Sequence, residues 1–317
     1  HQSLLSRSDL PDAEREHAQH ELAHDFLKAG MLDRAEAAFE QLKETRYALP
    51  ALRSLIRIYE SEHDWPRAID AVKTLQGLVD EPVPQIVHYY CEQAQIALET
   101  KPPALDLAHE ALDHADHAAA QIKQSETTVL AAKVRTVMLR ARLAQLEGDL
   151  TRERILLTSI LNDAPEFSGQ VAERLLANYR HDDQASQGLA VLQKQYAKYA
   201  SLDLFNVIFR ELRVQQGATP AWAFARDALH HHPSLLGLGR LIEAELSSTD
   251  GKHQGQEPGP VPGADLTLLR SVIHKHTQRL DRYACRSCGF QARRYYWQCP
   301  GCNGWETYSP KRLEELE

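Results

Sequence analysis

The sequence predicts an all-α chain, a superhelical solenoid of stacked helical hairpins that ends in a small metal-clipped module. Three observations carry this prediction. The 317 residues are rich in Ala, Leu, Gln, Glu and Arg, with only 15 Gly, 15 Pro and 7 Phe, the balance of a mostly helical protein. A helical pattern then repeats: Leu22, Phe26, Ala35, Phe39 and Leu42 are followed 33 positions later by Leu55, Tyr59, Ala68, Val72 and Leu75. Finally, four of the five cysteines form two C-x2-C pairs near the C-terminus.

The order Leu, small residue, aromatic, Gly at the turn, Ala, Phe and a last apolar residue is the tetratricopeptide pattern. In such a unit two antiparallel helices approach closely at small residues, and large ones fill the space opposite. The first unit spans Leu22 to Leu42 and turns at Gly30, while the second turns at His63-Asp64-Trp65-Pro66. The stretch before His17 is expected to complete a helix of a preceding unit. A third pair covers Tyr89 to Leu98 and Ala104 to Ala119, broken by Lys101-Pro102-Pro103. In the fourth, Val137, Ala141 and Ala144 precede the turn Gly148-Asp149, and Leu157, Ile160 and Pro165 follow it. Val171 to Tyr179 with Gly188 to Tyr199 make a fifth, and Leu204 to Leu212 with Ala221 to Leu229 a sixth, ended by His232-Pro233. Leu235 to Leu246 reads as one more, capping helix.

From Ser247 the pattern stops. Ser247 to Gly263 holds almost no apolar residue and many breakers, which predicts a flexible connector. Asp265 then reads as the N-cap of a helix running to about Arg279. Its apolar face of Leu266, Leu269, Val272 and Ile273 needs the last solenoid helix as a partner. The expected domains are a solenoid over 1–246, a connector over 247–264, a linking helix over 265–281 and a metal module over 282–317.

In that module Cys285 and Cys288, then Cys299 and Cys302, read as two metal knuckles. Two thiolates three residues apart grip one ion only where the backbone turns sharply, and Gly289 and Gly301 are expected to supply the turns. Four soft thiolates suit tetrahedral zinc, or iron as in rubredoxin, and leave no open position for water or substrate, so the site is expected to be structural. The intervening Phe290 to Gln298, with its aromatic residues, suits short hairpin strands. A module this small cannot bury enough apolar surface alone, so the metal must supply much of its folding free energy.

A tetratricopeptide array followed by Tyr283 to Phe290, Tyr296 to Cys302 and Trp305 closely resembles the lipopolysaccharide assembly protein B family. The resemblance covers nearly the whole chain. It implies a rubredoxin-like C-terminal domain whose metal ligands are Cys285, Cys288, Cys299 and Cys302, packed against cytoplasmic repeats anchored to the inner membrane by a single N-terminal helix. It implies a non-enzymatic adaptor that promotes degradation of the deacetylase LpxC by the membrane protease FtsH, with other lipopolysaccharide assembly proteins as further partners. The chain starts at His1 without Met, which reads as a piece lacking that helix and the first repeats. Homodimerisation is open at this stage.

Other classes find less support. A formal net charge of −8 argues against broad nucleic-acid binding. Tyr295, Tyr296, Trp297 and Trp305 therefore read as core and docking aromatics, and Arg286, Arg293 and Arg294 as groups that offset thiolate charge or contact the solenoid. The competing readings are a zinc-ribbon nucleic-acid binder on a repeat scaffold and an iron electron-transfer module. Cys91 reads as a small buried apolar group. His109, His114 and His117 share a helix with Asp113 and Asp116, a solvated face, and His230 to His232 suit a helix C-terminus. Asp182 and Asp183 fall in an inter-helix turn. No glycine-rich phosphate loop, G-x-S-x-G elbow or H-E-x-x-H is present, which leaves no candidate catalytic residue and no cofactor beyond the metal.

Overall fold

The computed structural model describes residues 10–79, 83–122, 128–249 and 263–316. Among these are fourteen α-helices, of which twelve pair into hairpins. The pairs are α1 (Asp12–Lys28) with α2 (Leu32–Glu40), α3 (Ala48–Glu62) with α4 (Trp65–Leu78), α5 (Ile86–Glu99) with α6 (Leu105–Gln121), and then, after α7 (Thr128–Glu147) and α8 (Leu150–Asp163), α9 (Ser168–His181) with α10 (Ala185–Lys198), α11 (Leu202–Gln216) with α12 (Ala218–His231), and α13 (Leu235–Thr249) with α14 (Gly263–Thr277). Two-residue strands β1 (Tyr283–Ala284) and β2 (Gln291–Ala292) follow. The chain divides inside α7, between Leu139 and Arg140, into two compact units.

In the first unit the repeat positions fill the interior. Ala23, Ala35, Phe39, Leu42, Leu55, Ala68 and Val72 are all fully buried, so small and large residues alternate across each helix contact as the pattern requires. The residues before His17 correct one expectation. Residues 12–16 are the opening turns of α1, continuous with the turns that carry Ala23 and Phe26, and not part of a helix of an earlier hairpin, while residues 1–9 lie outside the described residues. The turn from α3 to α4 is specified locally: His63 takes a left-handed conformation, the Asp64 side chain accepts the Arg67 amide at 3.2 Å, and Pro66 sits in the first turn.

One buried polar network stands apart in this unit. Arg135 donates to Glu92 at 2.6 Å and to Gln95 at 3.2 Å, and its Nη1 lies 3.4 Å from Nδ1 of the fully buried His88. The guanidinium always donates, so Nδ1 accepts and the ring is neutral. Burial, then the charge of Arg135, holds His88 well below the ordinary imidazole range. Its folded pKa is thus lower than its unfolded one, so the unfolded chain binds the extra proton as pH falls through about 6.5. Thermal stability is expected to be flat above about pH 7 and to decline from there to about pH 5, and His88→Gln should remove part of that slope. Parallel Tm-against-pH curves for the two proteins would contradict this. Cys91 lies beside this network, fully buried with Sγ 3.4 Å from Thr136 Oγ1, and burial raises its thiol.

The second unit packs by the same rule. A Cβ on Gly188 would lie 2.8 Å from the Tyr179 ring, so only glycine lets α10 come this close to α9. Fully buried Glu153 accepts from Arg174 and from Asn178, each at 2.8 Å, which satisfies a carboxylate that could not otherwise sit in the interior. Of the expected connector, residues 247–249 end α13 and 263–264 begin α14, and 250–262 lie outside the described residues.

The linking helix differs from its expectation. It starts at Gly263, with Asp265 in its first turn instead of at the cap. Ile273 packs within reach of Gly239 on α13 and Thr277 is buried, but Leu269 and Val272 stay about half exposed. Contact with the single helix α13 covers only a narrow stripe, narrower than the apolar face the sequence suggests. The side chain of Leu266 lies outside the described residues. Among the described residues no helix is long and apolar enough to cross a membrane.

Candidate metal centre

The four terminal cysteines converge. Cys285 Sγ lies 3.8 Å from Cys302 Sγ and Cys288 Sγ lies 3.7 Å from Cys299 Sγ, and all four sulfurs fall within 4.8 Å of one another. A tetrahedral ion with metal–sulfur bonds of about 2.3 Å requires sulfur separations of about 3.8 Å, so the shell fits zinc, and iron of similar bond length. Each knuckle offers one inner and one outer sulfur, because Cys285 and Cys299 are buried while Cys288 and Cys302 are exposed. Amides of Cys288 and Gly301 point at Cys285 Sγ and Cys299 Sγ, both at 3.4 Å, as outer partners that favour thiolates.

Both knuckles close by the same turn, though not with the residues the sequence suggested. Gly289 donates its amide to the Cys285 carbonyl at 2.9 Å, and Asn303 donates to that of Cys299 at 2.8 Å. These two residues, each directly after the second cysteine of its pair, take the left-handed conformation with φ of 75° and 56°. Gly289 was expected in that role and Gly301 was not needed for it, since Asn tolerates the same region. Gly301 answers another demand: a Cβ there would lie 3.1 Å from Phe290.

The rest of the module is short of regular structure. Strands β1 and β2 pair antiparallel, Tyr283 with Ala292 and Ala284 with Gln291, and isolated bridges join Cys285 to Tyr308 and Gln298 to Trp305. Most of Phe290 to Gln298 is therefore not strand: Tyr295 and Tyr296 pack on the module's own buried cluster, and Tyr295 and Trp297 also meet Phe167 outside it. The module's buried cluster is Tyr283, Cys285, Cys299 and Tyr308, so half of its core is sulfur ligands. Burial, and then the Cys299 sulfur it faces, raises the Tyr308 phenol.

The module is bound to the helical repeats of its own unit at three places. Trp297 stacks on Phe167 with centroids 5.7 Å apart, and Tyr295 meets the same ring edge-on at 6.0 Å. Next to this, the Tyr283 hydroxyl donates to Asp203 in the first turn of α11 and accepts from Gln170 of α9 at 2.9 Å. Arg312 reaches Asp203 at 2.8 Å and Asp281 at 2.8 Å, with its guanidinium 4.9 Å above the Tyr283 ring. Burial, then the Asp203 charge, pushes the Tyr283 phenol up, which keeps it a donor at any physiological pH.

The third contact is made by the last residues described. Glu314 accepts from Ser234 Oγ at 2.9 Å and from the amides of Leu235 at 2.5 Å and Leu236 at 3.3 Å, which caps α13. Glu315 accepts from the Leu202 amide at 3.1 Å at the start of α11, and burial raises its carboxyl despite that bond. Two carboxylates of the module thus satisfy orphan donors and face the positive ends of two repeat helices.

Of the arginines singled out by sequence, Arg286 donates to the Glu306 carbonyl at 3.1 Å and Arg294 lies over the Tyr296 ring at 4.8 Å, both inside the module. Arg293 lines a cleft with Arg240 and Arg270 of α13 and α14. Arg312, Glu314, Glu315, Asp203 and Phe167, which carry the docking, had no motif to mark them.

A family model described as a rubredoxin metal binding domain matches residues 283–310. The chain is similar to lipopolysaccharide assembly protein B of Escherichia coli strain K12, 26% identical over 314 residues that cover 98% of this chain and 75% of that protein. It is also similar to the protein of the same name from Haemophilus influenzae, 24% identical over 318 residues that cover 99% of this chain and 74% of that one. Among solved structures, the crystal structure of PilW, a widely conserved type IV pilus biogenesis factor, covers 74% of this chain and 100% of its own at 13% identity and a TM-score of 0.36. With helical repeats, a match to the rubredoxin metal binding domain and similarity through 98% of its length, this chain is similar as a whole to the proteins named lipopolysaccharide assembly protein B.

Proposed function

We propose that this chain is a non-enzymatic adaptor of lipopolysaccharide assembly, in which Cys285, Cys288, Cys299 and Cys302 hold zinc and the metal module fixes one end of a protein-binding repeat array. The observation that carries the reading is similarity, over 98% of the chain, to relatives named for lipopolysaccharide assembly. The closed sulfur shell supports a structural role for the ion, since a site with four protein ligands offers none of its coordination to substrate.

The adaptor acts by tethering. Holding the LpxC deacetylase beside the FtsH protease raises its local concentration, and this speeds degradation without any chemistry by the adaptor. The reading places the chain on the cytoplasmic side of the inner membrane, as part of a protein with one N-terminal membrane helix. The test is a crosslinked pull-down from cells with a membrane-anchored form, as wild type and as Cys299→Ser. The wild type is expected to recover a membrane protease and a lipid A biosynthetic enzyme, with recovery lost in the variant. Wild-type recovery of neither would refute the adaptor.

A further inference from the structure

Helix α1 carries a histidine cluster that has no part in the sulfur site. His17, His20 and His24 follow one another at helical spacing and share a face. His20 Nε2 and His24 Nε2 are 3.2 Å apart and share a hydrogen bond, whose bridging proton is the one a metal ion would replace. Both rings are held by aromatic neighbours: Tyr47 stacks on His20 at 4.5 Å, and Phe39 meets His24 edge-on at 5.1 Å. The Tyr47 hydroxyl is in turn fixed by His17 Nδ1 at 3.0 Å. Two imidazoles locked in this way lose little freedom on taking a common ligand.

Two further observations bear on what that ligand is. His20 Nδ1 is buried without a hydrogen-bond partner, and the Glu21 carboxylate stands 3.4 Å from it, outside hydrogen-bonding geometry. An imidazole that binds a metal through Nε2 keeps its proton on Nδ1, and that proton is typically given to a carboxylate, the position Glu21 occupies. The spacing fits as well. With metal–nitrogen bonds of about 2.0–2.1 Å, a nitrogen separation of 3.2 Å subtends about 100° at the ion, between the tetrahedral and the square or octahedral angle.

We propose that His20 and His24 form a two-histidine chelate for a divalent transition ion of the nickel, copper or zinc class, with the Glu21 carboxylate, 3.4 Å from His20 Nδ1, as the charge nearest the proton that Nδ1 keeps. Among the described residues no third histidine, cysteine or carboxylate joins them at ligand distance, since the metal-type cluster found there is the four-cysteine one. The ion therefore keeps open positions for water or for a donor from another molecule, and it exchanges, in contrast to one enclosed by four sulfurs.

The experiment uses the full chain with its four-cysteine centre already loaded with zinc, and Ni2+ as the probe. Calorimetric titration is run on the wild type, His20→Asn and His24→Asn, while histidine ring resonances of the wild type are followed by NMR. Expected are a saturable equivalent of Ni2+ in the wild type, about tenfold or more weaker binding in each variant, and first broadening at His20 and His24. Equal affinity in all three proteins, no saturable binding, or first broadening at His230 to His232 would overturn the proposal. The NMR arm needs no substitution, so it decides even where a variant folds poorly.

Discussion

Removal of the metal is expected to unfold the terminal module while the helical repeats keep their helix content. A strong chelator, or Cys299→Ser, should abolish the dispersed NMR signals of residues 283–310 and open that segment to protease. The reason lies in the composition of the module's core: of its four buried members, Cys285 and Cys299 are themselves ligands, and the others are Tyr283 and Tyr308. Two tyrosines cannot offset the ordering of some thirty residues, so the ion's contribution, on the order of 10 kcal/mol in small zinc domains, has no substitute. Unfolding withdraws Glu314 and Glu315 from the starts of α13 and α11, at about 1 kcal/mol for each lost cap. Hydrogen exchange at the Leu202 and Leu235 amides should therefore accelerate with metal removal. Metal-free protein that retains slow exchange at both amides would mean that the module folds and docks without an ion. Zinc in the purified protein, with no iron–thiolate absorption, would also dispose of the electron-transfer reading.

How far the sequence revealed this arrangement depends on how local each signal is. The hairpins were legible because their determinants lie within one repeat: Leu22, Phe26, Ala35 and Phe39 recur 33 positions on, and Asp64 and Asp149 cap helices through amides three residues away. The sulfur ligands were legible because chelation imposes C-x2-C. The position after each pair was read less well. Glycine at 289 was a visible signal, whereas Asn303 meets the same backbone demand with an ordinary polar residue.

Docking was not legible at all. Leu202 and Glu315 are 113 residues apart, and Arg312 and Asp203 are 109 apart. In sequence Asp203 is one more acid in a helix first turn, and the stretch from Lys311 to Glu315 is a charged tail with nothing to pair it to α11 or α13. Periodicity also overstated the face of α14, because an apolar pattern records what can be covered and not what is covered, as exposed Leu269 and Val272 demonstrate.

Arg312→Ala should detach the module from the repeats without emptying the metal site. Arg312 is mostly buried and holds together two carboxylates, Asp203 of α11 and Asp281, under the Tyr283 ring. Taking the cation away costs about 1–3 kcal/mol, because it leaves Asp203, 14% exposed, short of its cationic partner, whereas Asp281, 33% exposed, can turn to water. Arg312→Lys should recover only part of this, since an ammonium cannot reproduce the fork that spans both acids. Adding Asp203→Asn to Arg312→Ala should recover part by another route, because it removes one stranded charge and leaves an amide able to face Tyr283. The measurements are metal content together with hydrogen exchange at Leu202 and Leu235. Full metal occupancy with fast exchange is the expected signature of Arg312→Ala, whereas Cys299→Ser should show fast exchange with metal lost. If Arg312→Ala exchanges as slowly as the wild type, the stacked Trp297 and Phe167 suffice to hold the module. In cells the same pair of variants separates two needs of the proposed adaptor, a folded module and a docked one. If Arg312→Ala loses its partners as completely as Cys299→Ser, then what the partners require is the joint surface of repeats and module, and the ion matters to them only through it.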